Sequence, residues 1–329
     1  MATKYEAVHQ QPNGPGDARP TASQIIEDEQ LNGQWPDKTV LITGCSSGNG
    51  IETAKAIFKS GATIYVTARD VNKAKSALGS FLDSDRVHLL ELDLESLASV
   101  RRCAETFLTL SGRLNILINN AGVMATPEGR TMDGFETQFG TNHLAQFLLI
   151  QLLLPVLQKS STSELQSRVV ILSSVGHRDG EVNFENLNLE AEYDPWKAYA
   201  QSKTANVWTS NELERRFGSK GVHSLSVHPG GIMTGLTKHL SNEQLQALGS
   251  DPRLAKILKT PEQGAATTVW AATARILEGQ GGMYLENCQI SKTVKANATQ
   301  VDPGYSTWAY DEQKATRLWN KSLELVKLV

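Results

Sequence analysis

The 329-residue sequence predicts a doubly wound α/β fold, in which helices cover both faces of a parallel β-sheet. Short apolar runs alternate with amphipathic helical patterns along most of the chain, as parallel βαβ units require. The first apolar run, residues 40–42, leads into a glycine-rich loop and then a helical pattern. Because neither a repeat nor an interdomain linker interrupts this alternation, we expect a single domain over residues 37–329.

The remaining elements are predicted in order from the same periodicities. The predicted strands are residues 62–68, 87–92, 114–118, 168–172 and 222–227. The predicted helices begin after Gly50 and then cover residues 71–81, 97–110, about 134–157 and about 196–217. Ligands bind at the carboxyl ends of the strands in such a sheet, so polar residues at those ends are candidate site residues.

Both ends of the chain extend beyond this alternation. Residues 1–36 form an N-terminal extension whose first 20 residues are polar and rich in Gln, Pro and Gly, and these are predicted to be disordered. Thr21 or Ser23 is expected to cap a short helix that lies on the main body. Residues from about 286 to 329 form a C-terminal extension.

The composition excludes several classes of function. A formal net charge of −3 gives no basis for binding nucleic acid or an anionic membrane. Cys45, Cys103 and Cys288 are odd in number and far apart, which is typical of reduced thiols. We therefore expect a cytoplasmic protein without a membrane span, since no run of about 18 apolar residues occurs. The histidines form no ligand cluster, so we expect no catalytic metal.

The loop Thr43-Gly-Cys-Ser-Ser-Gly-Asn-Gly50 joins the first strand to its helix. Gly44 allows a tight turn, and Gly48 and Gly50 let the backbone approach a ligand. Unpaired N–H groups at the helix N-terminus favour a phosphate. An ordinary glycine-rich turn is the alternative, but the βαβ context favours a dinucleotide site of the Rossmann type.

The end of the second strand predicts which dinucleotide binds. A fold that uses NAD usually places Asp or Glu there, whereas this chain has Ala68 followed by Arg69. A guanidinium beside a neutral residue suits a 2′-phosphate, so NADP(H) is favoured over NAD(H). Asp70 is expected to start the next helix or point away, and a solvated loop charge is the alternative for Arg69.

Polar residues also follow the later strands. Asp93 can accept a hydrogen bond from an adenine amino group, and Asn119-Asn-Ala-Gly122 can tie strand ends together or form a simple turn. Tyr199 and Lys203, four residues apart, share one face of a predicted helix, and Ser174 follows the fifth strand. Because a phenol with a pKa of about 10 is a poor acid or base at neutral pH, a nearby ammonium that favours the phenolate has a chemical purpose.

Together these motifs resemble the short-chain dehydrogenase/reductase superfamily from about Thr39 to the region of Tyr284. The matching pieces include the glycine loop, Asp93, Asn119-Asn-Ala-Gly122, Asn142, Ser174, Tyr199, Lys203 and Pro229-Gly-Gly-Ile-Met-Thr234. Leu172-Ser-Ser-Val-Gly-His177, Thr260-Pro-Glu-Gln-Gly264 and Arg317-Leu-Trp319 resemble the retinol dehydrogenase and WW-domain oxidoreductase branch. Val66-Thr-Ala-Arg-Asp70 resembles NADPH-dependent carbonyl reductases.

The resemblance implies a role for each matching residue. Asn142, Ser174, Tyr199 and Lys203 would form a catalytic tetrad, with Tyr199 as general acid/base, Ser174 orienting the substrate oxygen, and Lys203 binding the ribose and lowering the Tyr199 pKa. Asn142 would shape the long helix and hold a water in the proton relay. The implied cofactor-binding residues are Gly44, Ser46, Ser47, Gly48, Asn49, Gly50, Ile51, Arg69, Asp93, Leu94, Asn120, Ala121, Gly122, Tyr199, Lys203, Pro229, Gly230, Ile232 and Thr234. Asn49 and Glu52 depart from the residues usual in the family.

The sequence therefore predicts NADPH-dependent reduction of a ketone or aldehyde on a hydrophobic small molecule, or the reverse alcohol oxidation. An NAD-linked alcohol dehydrogenase is the alternative enzyme, and a non-redox scaffold, sensor or cyclase is the alternative of a different class. A lid at about residues 235–260 and apolar residues such as Phe184, Tyr193, Trp196, Met233 and Leu236 could form the substrate pocket, and His177 is expected to be structural. The resemblance also implies a homodimer or tetramer formed through the long helix and the helix that follows Tyr199. A C-terminal extension such as Pro303–Val329 that covers those faces instead is the alternative.

Overall fold

A computed structural model describes residues 4–329, and eight strands form one sheet in it. The strands are β1 Thr39–Ile42, β2 Thr63–Ala68, β3 Val87–Glu91, β4 Ile116–Asn119, β5 Ser167–Leu172, β6 Val222–His228, β7 Met283–Glu286 and β8 Gln289–Ile290. Their order in the sheet is β3-β2-β1-β4-β5-β6-β7-β8, and neighbouring strands are parallel except for β8, which runs antiparallel to β7. The predicted doubly wound sheet is confirmed.

Helices cover both faces of the sheet. In β1, Val40 and Ile42 face the hydrophobic cluster on one side of the sheet, whereas Leu41 faces the cluster on the other side. This alternation follows from the two-residue period of a strand. The helices are α1 Glu6–Gln10, α2 Ala22–Asp28, α3 Asn49–Phe58, α4 Val71–Leu78, α5 Leu97–Leu110, α6 Thr137–Phe139, α7 Ala145–Ser160, α8 Pro195–Phe217, α9 Asn242–Ser250, α10 Pro252–Ile257, α11 Pro261–Gly264, α12 Ala266–Thr273 and α13 Glu312–Leu325.

The predicted element bounds are accurate to a few residues, with two informative differences. The helix predicted at 71–81 ends at Leu78, because Gly79 adopts a φ of +51° and a 3₁₀ turn follows. The long helix predicted at 134–157 is instead α6, a π-helical turn over Gly140–Leu144, and α7. That turn places Asn142 at its centre, as described below.

The N-terminal extension is ordered, so the prediction of a disordered tail is wrong for residues 4–20. Tyr5 and Arg19 are buried, and α1 lies between them. Thr21 caps α2 in a capping box with Gln24, as predicted. Residues 1–3 of that prediction lie outside the described residues.

The C-terminal extension covers the helix faces that the sequence assigned to a dimer contact. Helix α13 lies along α8, and its Trp319 ring contacts the Phe147 ring of α7 at a centroid distance of 5.0 Å. Trp208 of α8 is fully buried, and its indole N–H donates to the carbonyl of Trp308 at 2.8 Å. The surplus apolar surface on α7 and α8 is therefore buried within one chain.

One helical stretch among residues 4–329 has the length and apolar composition of a membrane span. It is Thr137–Ser160, and 83% of its most apolar window is buried inside the fold. Such burial is typical of a core helix, and α7 lies against the sheet beside α5.

Candidate active site

A cavity of about 660 Å³ opens along the carboxyl ends of the strands. It extends from the β2 and β3 ends, past the glycine loop and the β4 end, to the residues after β5 and β6. Nearly all the predicted site residues line it: Gly44, Ser46, Ser47, Gly48, Asn49, Gly50, Arg69, Asp93, Leu94, Asn120, Ala121, Gly122, Ser174, Tyr199, Lys203, Pro229, Gly230, Ile232 and Thr234. Two predicted residues, Ile51 and Asn142, lie behind this surface.

The glycine loop leaves a cradle that side chains would fill. A Cβ on Gly50 would lie 2.3 Å from the carbonyl oxygen of Gly44, and one on Gly44 would lie 2.7 Å from the Cβ of Ala121. Gly48 has a φ of +61° and immediately precedes α3. The backbone therefore comes close to the cavity at a helix N-terminus, which fits the pyrophosphate of a dinucleotide.

The two residues that depart from the family, Asn49 and Glu52, lie in the first turn of α3. Asn49 lines the cavity, and its buried side-chain oxygen has no hydrogen-bond partner within the protein. Glu52 pairs with Lys55 at 3.0 Å, so its carboxylate has a cation beside it. Ile51 was predicted to contact the cofactor, but its side chain is buried in the hydrophobic cluster beneath α3.

Charged groups surround the cavity where β2 and β3 end. The Arg69 guanidinium pairs with the Glu95 carboxylate at 2.6 Å, a contact that the sequence analysis did not anticipate. Asp70 caps α4 by accepting from the backbone N–H of Lys73, as predicted for a helix start. The Lys73 side chain also lines the cavity, so two cations face it at this end. The signal that could have identified Lys73 is its position in the first turn of α4, four residues after Arg69.

The amide after β4 ties two strand ends together, as predicted. The Asn120 side chain donates to the carbonyls of Thr43 at 2.8 Å and Gly44 at 3.3 Å. Asp93, after β3, accepts from the backbone N–H of Glu95 at 3.0 Å.

Tyr199 and Lys203 share one face of α8 at the centre of the cavity wall. The Lys203 ammonium lies 5.5 Å from the centroid of the Tyr199 ring and donates to the Leu172 carbonyl at 3.1 Å. A Cβ on Gly176 would come within 3.0 Å of the Tyr199 ring, so a glycine there leaves room for the phenol. Ser174 accepts from the Gly176 N–H at 3.1 Å and presents its hydroxyl to Tyr199.

Burial dominates the ionisation of this pair. It raises the pKa of Tyr199 to about 12, although a side-chain hydrogen bond with Ser174 works in the opposite direction. Burial also lowers the pKa of Lys203 to about 8, because the ammonium is removed from water. The protein alone therefore does not show the lowered Tyr199 pKa that the resemblance implied. Its phenol is protonated at neutral pH.

Asn142 supports the site from behind the cavity. Its side-chain NH₂ donates to the Val123 carbonyl and to the Ser202 hydroxyl, both at 2.9 Å, and its oxygen accepts from the Val123 N–H at 2.8 Å. A π-helical turn is centred on Asn142, in the middle of the long helix that this residue was predicted to shape. Val123 in turn lines the cavity.

Apolar residues enclose the other end of the cavity. Trp196, Met233 and Leu236 line it as predicted, whereas Phe184 stacks on Trp208 and Tyr193 donates to the Thr126 carbonyl outside it. Leu240, Leu254, Ile257 and Leu258 also line it and lie within the predicted lid at 235–260, whereas the sequence analysis did not name Met124, Thr141 and His228. Met124 lies two residues after the Asn119-Asn-Ala-Gly122 motif, which was the signal that could have identified it.

His177 is structural, as expected. Its Nδ1 donates to the Ser174 carbonyl at 2.6 Å and its Nε2 accepts from the Ser306 N–H at 3.1 Å. Burial lowers its pKa to about 4, so the ring stays neutral. Among residues 4–329, no group of three His, Cys, Asp or Glu side chains has the geometry of a metal site.

The family model described as short chain dehydrogenase matches residues 38–245, which is more than half of the chain. The chain belongs to the short-chain dehydrogenase/reductase family. It is 48% identical over 325 residues to the short-chain dehydrogenase/reductase prx1 of Penicillium roqueforti, covering 99% of this chain and 95% of that protein. It is 40% identical to human retinol dehydrogenase 12 over 90% of this chain and 89% of that protein, which places it on the retinol dehydrogenase-like branch.

The fold of this short-chain dehydrogenase/reductase also recurs in solved structures. The RhlG/NADP active-site complex of Pseudomonas aeruginosa matches 78% of this chain and 96% of that chain, with a TM-score of 0.63 and 26% identity. Membership of the family makes the protein an NAD(P)-dependent oxidoreductase.

Proposed function

We propose that this enzyme reduces a ketone or aldehyde on a hydrophobic small molecule with NADPH, using Tyr199 as the general acid. The observation that carries this proposal is the continuous cavity, in which Tyr199 stands between the glycine cradle and an apolar wall. A bound nicotinamide supplies the hydride in this direction and accepts it in the reverse one. The chain's own task is to hold the substrate oxygen and to provide its proton.

The ionisation of the site favours reduction at neutral pH. A phenol with a pKa of about 12 carries its proton and can donate it to the oxygen of a carbonyl group. Ser174, beside the phenol, can hold the same oxygen through its hydroxyl. Lys203, whose amine faces the same space, can bind ribose hydroxyls when it is not held by Leu172.

The apolar wall supports an apolar substrate. Met124, Trp196, Met233 and Leu236 present only hydrocarbon, thioether or indole surface to the cavity. Trp196 and Met233 are 41% and 50% exposed, so a substrate that covers them removes apolar area from water. The name of the human relative, a retinol dehydrogenase, points in the same direction.

The preference for NADPH rests on Arg69 and Lys73, which both line the cavity where β2 ends. A related structure contains NADP, which supports the same choice. One observation favours the NAD-linked alternative. Glu95 already neutralises part of the Arg69 charge, and a carboxylate near this position repels a 2′-phosphate.

The test is a panel of aldehydes and ketones of increasing apolar size, monitored by NADPH absorbance, with the Tyr199→Phe variant as control. We expect turnover that improves with apolar size, a lower rate with NADH, and loss of turnover in Tyr199→Phe. A wild-type enzyme that binds NADPH but reduces no carbonyl compound and oxidises no alcohol would contradict the proposal. The non-redox scaffold or cyclase would then be favoured. We further propose that the protein acts in the cytoplasm, which fractionation of cells would test.

A further inference from the structure

Residues 13–19, which we call the strap, lie against α10 and α11. The backbone N–H of Gly14 donates to the carbonyl of Lys256 at 2.8 Å, just before the end of α10. The Gly16 N–H donates to the Gln263 side chain at 2.9 Å, and that side chain donates in turn to the carbonyls of Asp17 and Arg19. The strap is thus hydrogen-bonded to both α10 and α11.

Arg19 is the most buried charged residue of the strap, with 3% of its surface exposed. Its guanidinium donates to the carbonyls of Ile257 at 2.8 Å, Leu258 at 2.6 Å and Gly14 at 3.0 Å. Asp17 balances the charge through a 2.8 Å contact with the Arg19 Nε. Carbonyls at a helix C-terminus have no partner within the helix, so a buried planar cation that satisfies two of them fixes that end firmly.

The residues whose carbonyls Arg19 holds also form the cavity wall. Leu254, Ile257 and Leu258 line the cavity. The next residue, Lys259, is buried and donates to the Pro229 carbonyl at 3.2 Å and to the Asn287 side chain at 3.1 Å. One series of contacts therefore links the strap to the apolar wall and to the turn after β6.

We propose that Arg19 is a positioning residue for the substrate pocket, acting through the strap to hold the α10 end of the lid segment, residues 235–260. Arg19 does not line the cavity, so it acts on the substrate only through the wall that it supports. The proposal rests on the proposed function only in assigning a carbonyl substrate to that wall. The cofactor cradle and the Arg69 end of the cavity receive no contact from Arg19.

A merely structural role for Arg19 predicts a different result from a positioning role. Loss of a buried arginine lowers stability wherever it lies, and Arg168 provides the matched control. Arg168 is also buried, donates to the Ala271 carbonyl and pairs with Glu278, but it lies near the opposite end of β5 from Ser174. Its removal should lower the melting temperature without loosening the lid segment.

The experiment uses the full-length protein and the variants Arg19→Ala, Arg19→Lys and Arg168→Ala. For Arg19→Ala we expect the KM for the best carbonyl substrate to rise about tenfold with kcat nearly unchanged, because a loosened wall weakens substrate binding without changing the groups that react. The Kd for NADPH should stay at the wild-type value. Limited trypsin digestion should cleave after Arg253 or Lys256 faster than in the wild type.

Arg19→Lys keeps the charge but lacks the planar fork, so we expect an intermediate KM and cleavage rate. It also keeps the test decisive if Arg19→Ala does not fold. Unchanged KM and cleavage in the folded Arg19 variants, or equal increases in Arg168→Ala, would overturn the proposal. If the wild type turns over no substrate, the proposed function fails, and the digestion alone decides whether the strap holds the lid segment.

Discussion

Cofactor selectivity should depend on the pair formed by Arg69 and Glu95. The two side chains are 59% and 33% exposed, and an ion pair at such a surface contributes about 0.2–1 kcal/mol. When the Arg69 guanidinium binds a 2′-phosphate, it must either break its ion pair with Glu95 or contact both groups at once. We therefore expect Glu95→Gln to tighten NADPH binding roughly 1.4- to 5-fold and to leave NADH binding unchanged.

Removal of the guanidinium should have a larger effect of opposite sign. A hydrogen bond to a charged group contributes about 1–3 kcal/mol, so Arg69→Ala should weaken NADPH binding roughly 5- to 150-fold. NADH binding should be nearly unchanged, because NADH carries no phosphate at that position. In the double variant the gain from Glu95→Gln should shrink, since that gain acts through Arg69.

The assay is a fluorescence titration of NADPH and NADH with each variant at one fixed salt concentration. Glu185→Gln is a matched control, because Glu185 forms an exposed 2.8 Å pair with Arg317. It should change neither dissociation constant. Equal losses for both cofactors in Arg69→Ala, or a wild type that prefers NADH, would refute the assignment of Arg69 to the 2′-phosphate.

Three further predictions concern the chemistry and the assembly. Tyr199→Phe should fold and bind NADPH but lose roughly 10²–10⁴-fold in kcat, and an undiminished rate would refute the role of Tyr199. The kcat/KM for carbonyl reduction should be constant near neutral pH and fall above about pH 8 as Lys203 loses its proton, and this fall should be absent in Lys203→Met. Light scattering at micromolar concentration should give the mass of one chain, because α13 covers α7 and α8, and the mass of a dimer for the intact protein would contradict this.

Local signals were sufficient for most of the fold. The helix at 97–110 was predicted from its apolar spacing with the ends that the structure shows, and Ser96 caps its first turn. The break at Gly140–Leu144 could not be predicted in this way. The break lies at Asn142, whose side chain forms hydrogen bonds with Val123 and Ser202, two residues outside this helix. No spacing within the helix itself indicates those bonds.

Site residues could be predicted from the sequence where their position follows from a strand end or a helix face. They could not be predicted where they depend on a contact with a residue far away in the sequence. Tyr199 and Lys203 are one helical turn apart, so their shared face follows from the sequence. Glu95 lies 26 residues from Arg69, and nothing local indicates that they pair. The ordered tail was missed for the same reason. Its composition is that of a disordered segment, but Arg19 finds its carbonyl partners more than 230 residues away.

The C-terminal extension supports the proposed catalytic residues as well as covering two helices. Ser322 of α13 bonds at 2.8 Å to His143, the neighbour of Asn142 in the π-helical turn. The Ser306 N–H donates to His177, whose other ring nitrogen donates to the Ser174 carbonyl. Burial keeps His143 and His177 neutral, so each ring can accept at one nitrogen and donate at the other. The extension therefore fixes the backbone around two members of the tetrad from outside the cavity.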